Sequence, residues 1–192
     1  MIRNDAWQIV QEYVKNGNLQ KHMLAVEAAM AAYAKKYHEP EETWRIAGLL
    51  HDFDWEIHPS LDEHPQKGAG ILRQRGVDEL IIHAVLSHAD HTGVKRETTL
   101  EKALYAVDEL TGLIVAVTLV RPTKNIDEVT VENIKKKWPQ KSFAAGVNRD
   151  QVTLGAKALS VDLWSEHVPL VLSAMQSIAS DLGLSGSPNP IS

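Results

Sequence analysis

Leu19, Met23, Val26, Met30 and Tyr33 recur in steps of three and four, the spacing of one face of an α-helix. Similar stepping runs through most of the chain, and few segments alternate with the period of two that a half-buried strand needs. A chain patterned this way buries its apolar stripes by packing helix on helix, so the expected fold class is all-α. Its 192 residues suffice for one compact domain with a sizeable core. We expect a single helical domain over 1–184, with C-terminal helices at 128–184 and a flexible tail at 185–192.

Cap residues punctuate the pattern. Asn4 and Asp5 are placed to cap a first helix that ends by Gly17, and Asn18 to open the second. Pro40 suits an early position of a third helix, Glu41 to about Phe53, and the stretch from Glu56 to Glu63 reads as a loop. Pro65 starts a fourth helix ending near Gly76, and Asp78 caps a fifth that runs to about Ala89. A long sixth spans about Leu100 to Val120, and Thr130 can cap a short seventh. Residues from Asp150 to Leu182 make two more, or one bent near Pro169.

Composition removes several classes of function. A net charge of −5 gives no reason to expect nucleic-acid binding. The longest apolar stretch, Leu110 to Val120, is broken by Thr111, Gly112 and Thr118 and is too short to span a bilayer. The N-terminus turns polar at once and has no apolar signal segment, so the expected location is the cytoplasm. With no Cys, any metal must be held by nitrogen and oxygen.

Against that background, His51-Asp52 stands at the end of an apolar run, Ile46-Ala47-Gly48-Leu49-Leu50. Burying an imidazole beside a carboxylate is costly unless a cation compensates. His22 shares the stripe of Val26, and Asp108 is bracketed by Leu104, Val107 and Thr111 on the sixth helix. Such ligands converge only if their helices form a bundle. Asp52 has two oxygens and can bridge two ions, with His64 at a helix start and His88 near a helix end completing a second site. Taken singly, each residue has a plainer reading: a lone helix-face histidine is more often a hydrogen-bonded core residue, and Asp52 alone could be a surface carboxylate.

The order His22, His51-Asp52, Asp108 resembles the HD-domain superfamily of metal-dependent phosphohydrolases, over about 19–120. His64-Pro65-Gln66-Lys67-Gly68-Ala69 followed by Val85-Leu86-Ser87-His88 resembles its HDIG-type subset. The resemblance implies a helical bundle of the HD type and one or two divalent ions (Fe, Mn, Ni, Co, Zn or Mg). His22, His51, Asp52 and Asp108 would surround the first, and His64 and His88 the second, with Asp52 bridging. It also implies hydrolysis of a small phosphorylated molecule, such as a nucleotide, by a metal-activated water. Many relatives carry a second histidine where this chain has Ala89; His91 could substitute, although His88 is the preferred ligand.

Around this centre the sequence offers further candidates. Lys67, one turn after His64, is the first choice to meet a substrate phosphate, followed by Arg121 and Lys124 beyond the Asp108 helix. Asp54 and Glu56 could serve as a general base or hold a metal-bound water, and His58 could contact substrate from its loop. Trp55 is placed to line a pocket, whereas Lys135-Lys136-Lys137 reads as a solvated helix end. The same ligand order also resembles HD-fold di-iron oxygenases acting on a polyol or phosphonate-like molecule. A non-catalytic metal or nucleotide sensor is the third reading. The last two helices are the candidate face of a homodimer.

Overall fold

The computed structural model describes residues 1–186, which hold ten α-helices and no strand. They are α1 (Arg3–Tyr13), α2 (Gly17–Tyr37), α3 (Glu41–Leu50), α4 (Gln66–Gln74) and α5 (Glu79–Ser87). After them come α6 (Thr99–Leu119), α7 (Val131–Lys137), α8 (Arg149–Ala158), α9 (Val168–Gln176) and α10 (Ala179–Leu182). Among the described residues no helix is long and apolar enough to cross a membrane.

α6 is the axis of the bundle. Its Ala103, Leu104, Ala106, Val107, Leu110, Leu113 and Ile114 are fully buried, and it packs against α2, α5, α8 and α9. Small alanines let neighbouring helices approach closely while the leucines fill the space between them. α2 lies against α3 so tightly that a Cβ on Gly48 would sit 2.9 Å from Glu27 Cα. Any larger residue at 48 would push the helices apart and carry the end of α3 away from α2. Glu27, itself buried in this contact, accepts hydrogen bonds from Arg3 Nε and Arg45 Nε, both at 2.8 Å. One carboxylate thus ties α1, α2 and α3 together, with two guanidinium groups compensating its charge.

Several boundaries differ from the sequence expectation, each for a local reason. Asn16, not Asn18, caps α2, accepting from Asn18 N–H at 2.9 Å. Neither Asn4 nor Asp5 is the cap of α1; Asp5 lies inside it and accepts from Ile2 N–H. α3 stops at Leu50, and His51–Ile57 forms a series of turns in which Trp55 N–H bonds Asp52 O and His58 N–H bonds Asp54 O. Pro169 bends nothing, because it sits in the first turn of α9, where its missing N–H has no helical partner to lose. The irregularity falls earlier, in a π-helical turn at Leu163–His167. Of the predicted tail, Ser185 pairs with Asn125 in a single bridge, and the part from 187 to 192 lies outside the described residues.

Candidate metal centre

His22 projects from α2, His51 and Asp52 from the turns closing α3, and Asp108 from the middle of α6. The Gly48 contact sets the end of α3 against α2, and both helices pack on α6. His22 Nε2 lies 3.0 Å from Asp108 Oδ1 and 3.2 Å from His51 Nε2. His51 Nε2 is 3.5 Å from Asp108 Oδ1 and also 3.5 Å from Asp52 Oδ2. Asp52 Oδ1 meets a different pair: it is 3.3 Å from His64 Nε2 and 3.3 Å from His88 Nε2. Two ligand groups result, His22–His51–Asp108 and Asp52–His64–His88, each with its donor atoms within 4.8 Å of one another.

The other ring nitrogens explain why these groups suit a cation. His51 Nδ1 lies 2.8 Å from Gly48 O, His88 Nδ1 2.5 Å from Val85 O, and His64 Nδ1 2.8 Å from Asp54 Oδ1. Carbonyl and carboxylate oxygens only accept, so each Nδ1 donates. The Thr111 hydroxyl donates to Asp108 O at 2.7 Å, so its oxygen accepts from His22 Nδ1 at 3.3 Å. In the neutral rings all four Nε2 lone pairs therefore point inward, at one another and at carboxylates. Imidazoles oriented from behind by carbonyls or a carboxylate are the usual arrangement of metal-binding histidines. The donor set fits one or two divalent ions of nitrogen- and oxygen-loving type.

Electrostatics agrees. Burial disfavours the His51 imidazolium, but Asp52 and Asp108 more than offset it and hold the ring up at about 9. His64, opposed by burial in the same way, is held at about 9 by Asp52 and Asp54. Burial would raise Asp52 and Asp108, yet the surrounding imidazoles keep both well below the usual carboxylate range. Three carboxylates packed among four imidazoles make a strongly cation-seeking pocket.

A cleft of about 320 Å³ opens over the second group, walled by Trp55, Leu61, His91, Glu109 and Gln151. The Trp55 ring stands edge-on to His64, with centroids 4.9 Å apart. Glu109 Oε2 accepts from Asn148 N–H at 3.1 Å, and burial, then the charge of Asp108, raises its carboxyl. Arg96 frames the loop after His88: it donates to Ser87 O at 2.7 Å and to Asp90 at 2.6 Å, and lies 3.6 Å over the Tyr105 ring.

The six sequence-predicted ligands thus come together, but several other candidates do not. Asp54 is fully buried and spends its oxygens on His64 Nδ1 and Gly68 N–H, so it orients a ligand and does not face the cleft as a base. That contact needs a glycine, because a Cβ at position 68 would lie 2.5 Å from Asp54 Cγ. Lys67 is exposed and lies outside the cleft wall: one turn past His64, the residue that faces inward is Gly68. Arg121 stands thirteen positions past Asp108, roughly 20 Å along a helix, and is bound to Asn133 and Glu128. Lys124, in the turns beyond, is exposed and equally remote in the chain. His58 faces Glu63 at 3.8 Å outside the cleft. Glu56 accepts from the N–H groups of Lys15 and Asn16 and serves the start of α2. His91 lines the cleft but bonds His64 O at 2.7 Å, bracing a ligand from behind. Sequence reasoning missed Glu109, Thr111 and Gln151; the first two carry a signal, being one and three places from Asp108 on its helix, and Gln151 carries none.

A family model described as HD domain matches residues 19–113. No curated protein and no solved structure matches the chain.

Proposed function

We propose that this chain, whose residues 19–113 match the HD-domain family, is a metal-dependent phosphohydrolase acting on an ester of a small molecule. One observation carries this reading: Asp52 turns Oδ2 toward His22 and His51 and Oδ1 toward His64 and His88, at 3.3 to 3.8 Å. A carboxylate shared in this way would hold two ions side by side, and such a pair would activate water near neutral pH and neutralise charge on phosphoryl oxygens. Asp54 and the carbonyls of Gly48 and Val85 keep the Nε2 atoms aimed at that position. Trp55 and Leu61 give the cleft an apolar rim against which the body of an ester could rest. Glu109, raised and held on one oxygen by Asn148, is the wall group best suited to carry a proton to the departing ester oxygen.

One feature favours a second reading. Among the described residues of the cleft wall none is Lys or Arg, whereas Asp90 and Glu109 are acidic. A phosphate would therefore lean on the ions alone, and a di-iron oxygenase acting on an uncharged polyol would not need that help. Metal analysis of protein purified without added metal, followed by assays for released phosphate and consumed O₂, decides between them. Two ions per chain with phosphate release from simple phosphomonoesters is the expected result. Iron with O₂ consumption and no phosphate release would establish the oxygenase instead.

A further inference from the structure

A second cavity, of about 340 Å³, lies on the other flank of His22 and is lined separately from the metal cleft. Its walls come from three elements: α2 gives Lys21 and His22, α6 gives Val115 and Leu119, and the end of α10 gives Leu182 and Leu184. The surface is mostly aliphatic. Leu182 and Leu184 are only 3% exposed each, while Leu119, at 49%, forms an apolar lip. The volume is roughly tenfold a water molecule's share of the liquid, so this space is more than a packing flaw. Gly183 keeps space below Lys21, where an added Cβ would lie 2.8 Å from the ammonium.

Charge divides the two openings. The metal cleft has acidic walls, and the cavity behind His22 has a lysine. An aliphatic lining with one cation selects a molecule that has an apolar body and one anionic end, and it is poorly suited to a polyanion. We propose that this cavity is a second ligand site, which takes a short aliphatic anion with its chain along Val115, Leu182 and Leu184 and its charge at Lys21. His22 lines this cavity and its Nε2 belongs to the first ligand group, so the occupant would rest directly behind a member of that group. The assignment is independent of which reaction the metal cleft supports.

Octanoate is a suitable probe, titrated into the full-length, metal-loaded protein by calorimetry, with octylammonium as control. Saturable 1:1 binding of octanoate is expected, with octylammonium weaker. Val115→Trp fills the cavity and should weaken octanoate at least about tenfold. Lys21→Ala should remove the preference for the anion while leaving the chain contact. If Val115→Trp does not give a wild-type circular dichroism spectrum, Leu119→Glu places a repelling charge on the exposed lip and should weaken octanoate similarly. Absence of saturable octanoate binding, or binding unaltered in a folded lip or cavity variant, would overturn the site. Equal affinity for anion and cation would overturn the role of Lys21. Metal content, measured on the same samples, keeps this outcome separate from any failure of the metal centre.

Discussion

Two buried imidazole environments border α6 and reach opposite charge states. At the candidate metal centre, His51 and His64 lie among Asp52, Asp54 and Asp108 and are held at about 9. His167, at the junction of the π-helical turn and α9, is equally removed from water, and burial pushes it down to about 4. Its Nε2–H donates to Ala106 O at 3.0 Å, and its Nδ1 accepts from the Tyr33 hydroxyl at 2.5 Å. Those partners satisfy a neutral ring, and the Ala106 carbonyl, which alone favours a charged one, is outweighed by burial. The difference teaches that burial alone makes a histidine a neutral tie between helices. Carboxylates beside it turn the same side chain into a place for a proton or an ion.

The hardest blow to that contrast is Asp52→Ala. It removes the carboxylate that both ligand groups share and the charge that does most to hold up His51. Metal content should collapse and phosphate-ester hydrolysis should fall by about a hundredfold or more, with the fold retained by circular dichroism. Two ions still bound in this variant would show that Asp52 does not bridge.

His167 tests the other side of the contrast. Its folded-state value lies below the ordinary one, so the unfolded chain takes up the proton first as pH falls. Its contribution to stability is therefore whole above pH 6.5 or so and is lost as pH drops toward 4. That window corresponds to roughly 3 kcal/mol. Urea unfolding of chelator-treated protein at pH 7.5 and pH 4.5 reads it directly. His167→Gln should be less stable at pH 7.5 but should lose less than the wild type on acidification. An identical acid loss in both would mean that His167 is not held neutral.

Asp54→Asn is a finer cut, because it leaves every ligand in place. The amide can still meet His64 Nδ1 but supplies no charge behind the ring. Affinity of the Asp52–His64–His88 group should drop by about 10- to 100-fold, while the His22–His51–Asp108 group keeps its ion. A calorimetric metal titration with two resolved phases checks this. An equal loss in both phases would assign Asp54 to the fold as a whole and not to one ligand.

These variants also mark where the sequence was legible. His22, His51 and Asp108 could be picked out because each places a polar group on an apolar helical stripe, a conflict visible without coordinates. The helical class followed from the same periodicity, since every long stripe needed another helix to cover it. Lys67, Arg121, Lys124 and His58 were chosen for nearness in sequence; helix phase turns Lys67 outward, the length of α6 carries Arg121 and Lys124 off, and His58 sits in a loop facing Glu63. Asp54 was misread because His51–Ile57 is a set of turns, where helical spacing gives no direction for a side chain. Gln151 reaches the cleft only because α8 packs on α6, and no local pattern encodes a contact between segments so far apart.

The contrast between raised and lowered imidazoles can finally be counted in protons. In metal-free protein, His51 and His64 are raised, so their contribution to stability is complete below about pH 6.5 and is lost as pH climbs through about 9. An ion bound at Nε2 must displace the second proton of each ring while Nδ1 keeps its own. Loading at pH 7.5 should therefore release about two protons per chain, read from calorimetric titrations in two buffers of different ionisation heat. The alkaline loss of stability should disappear once the metal is bound. In Asp54→Asn, where His64 has lost one of the two carboxylates that raise it, the count should fall toward one. His167 lies outside this exchange, so His167→Gln should release as many protons as the wild type. Loading without proton release would mean that the site imidazoles are neutral before any ion arrives, and the distinction drawn from their carboxylate neighbours would fail.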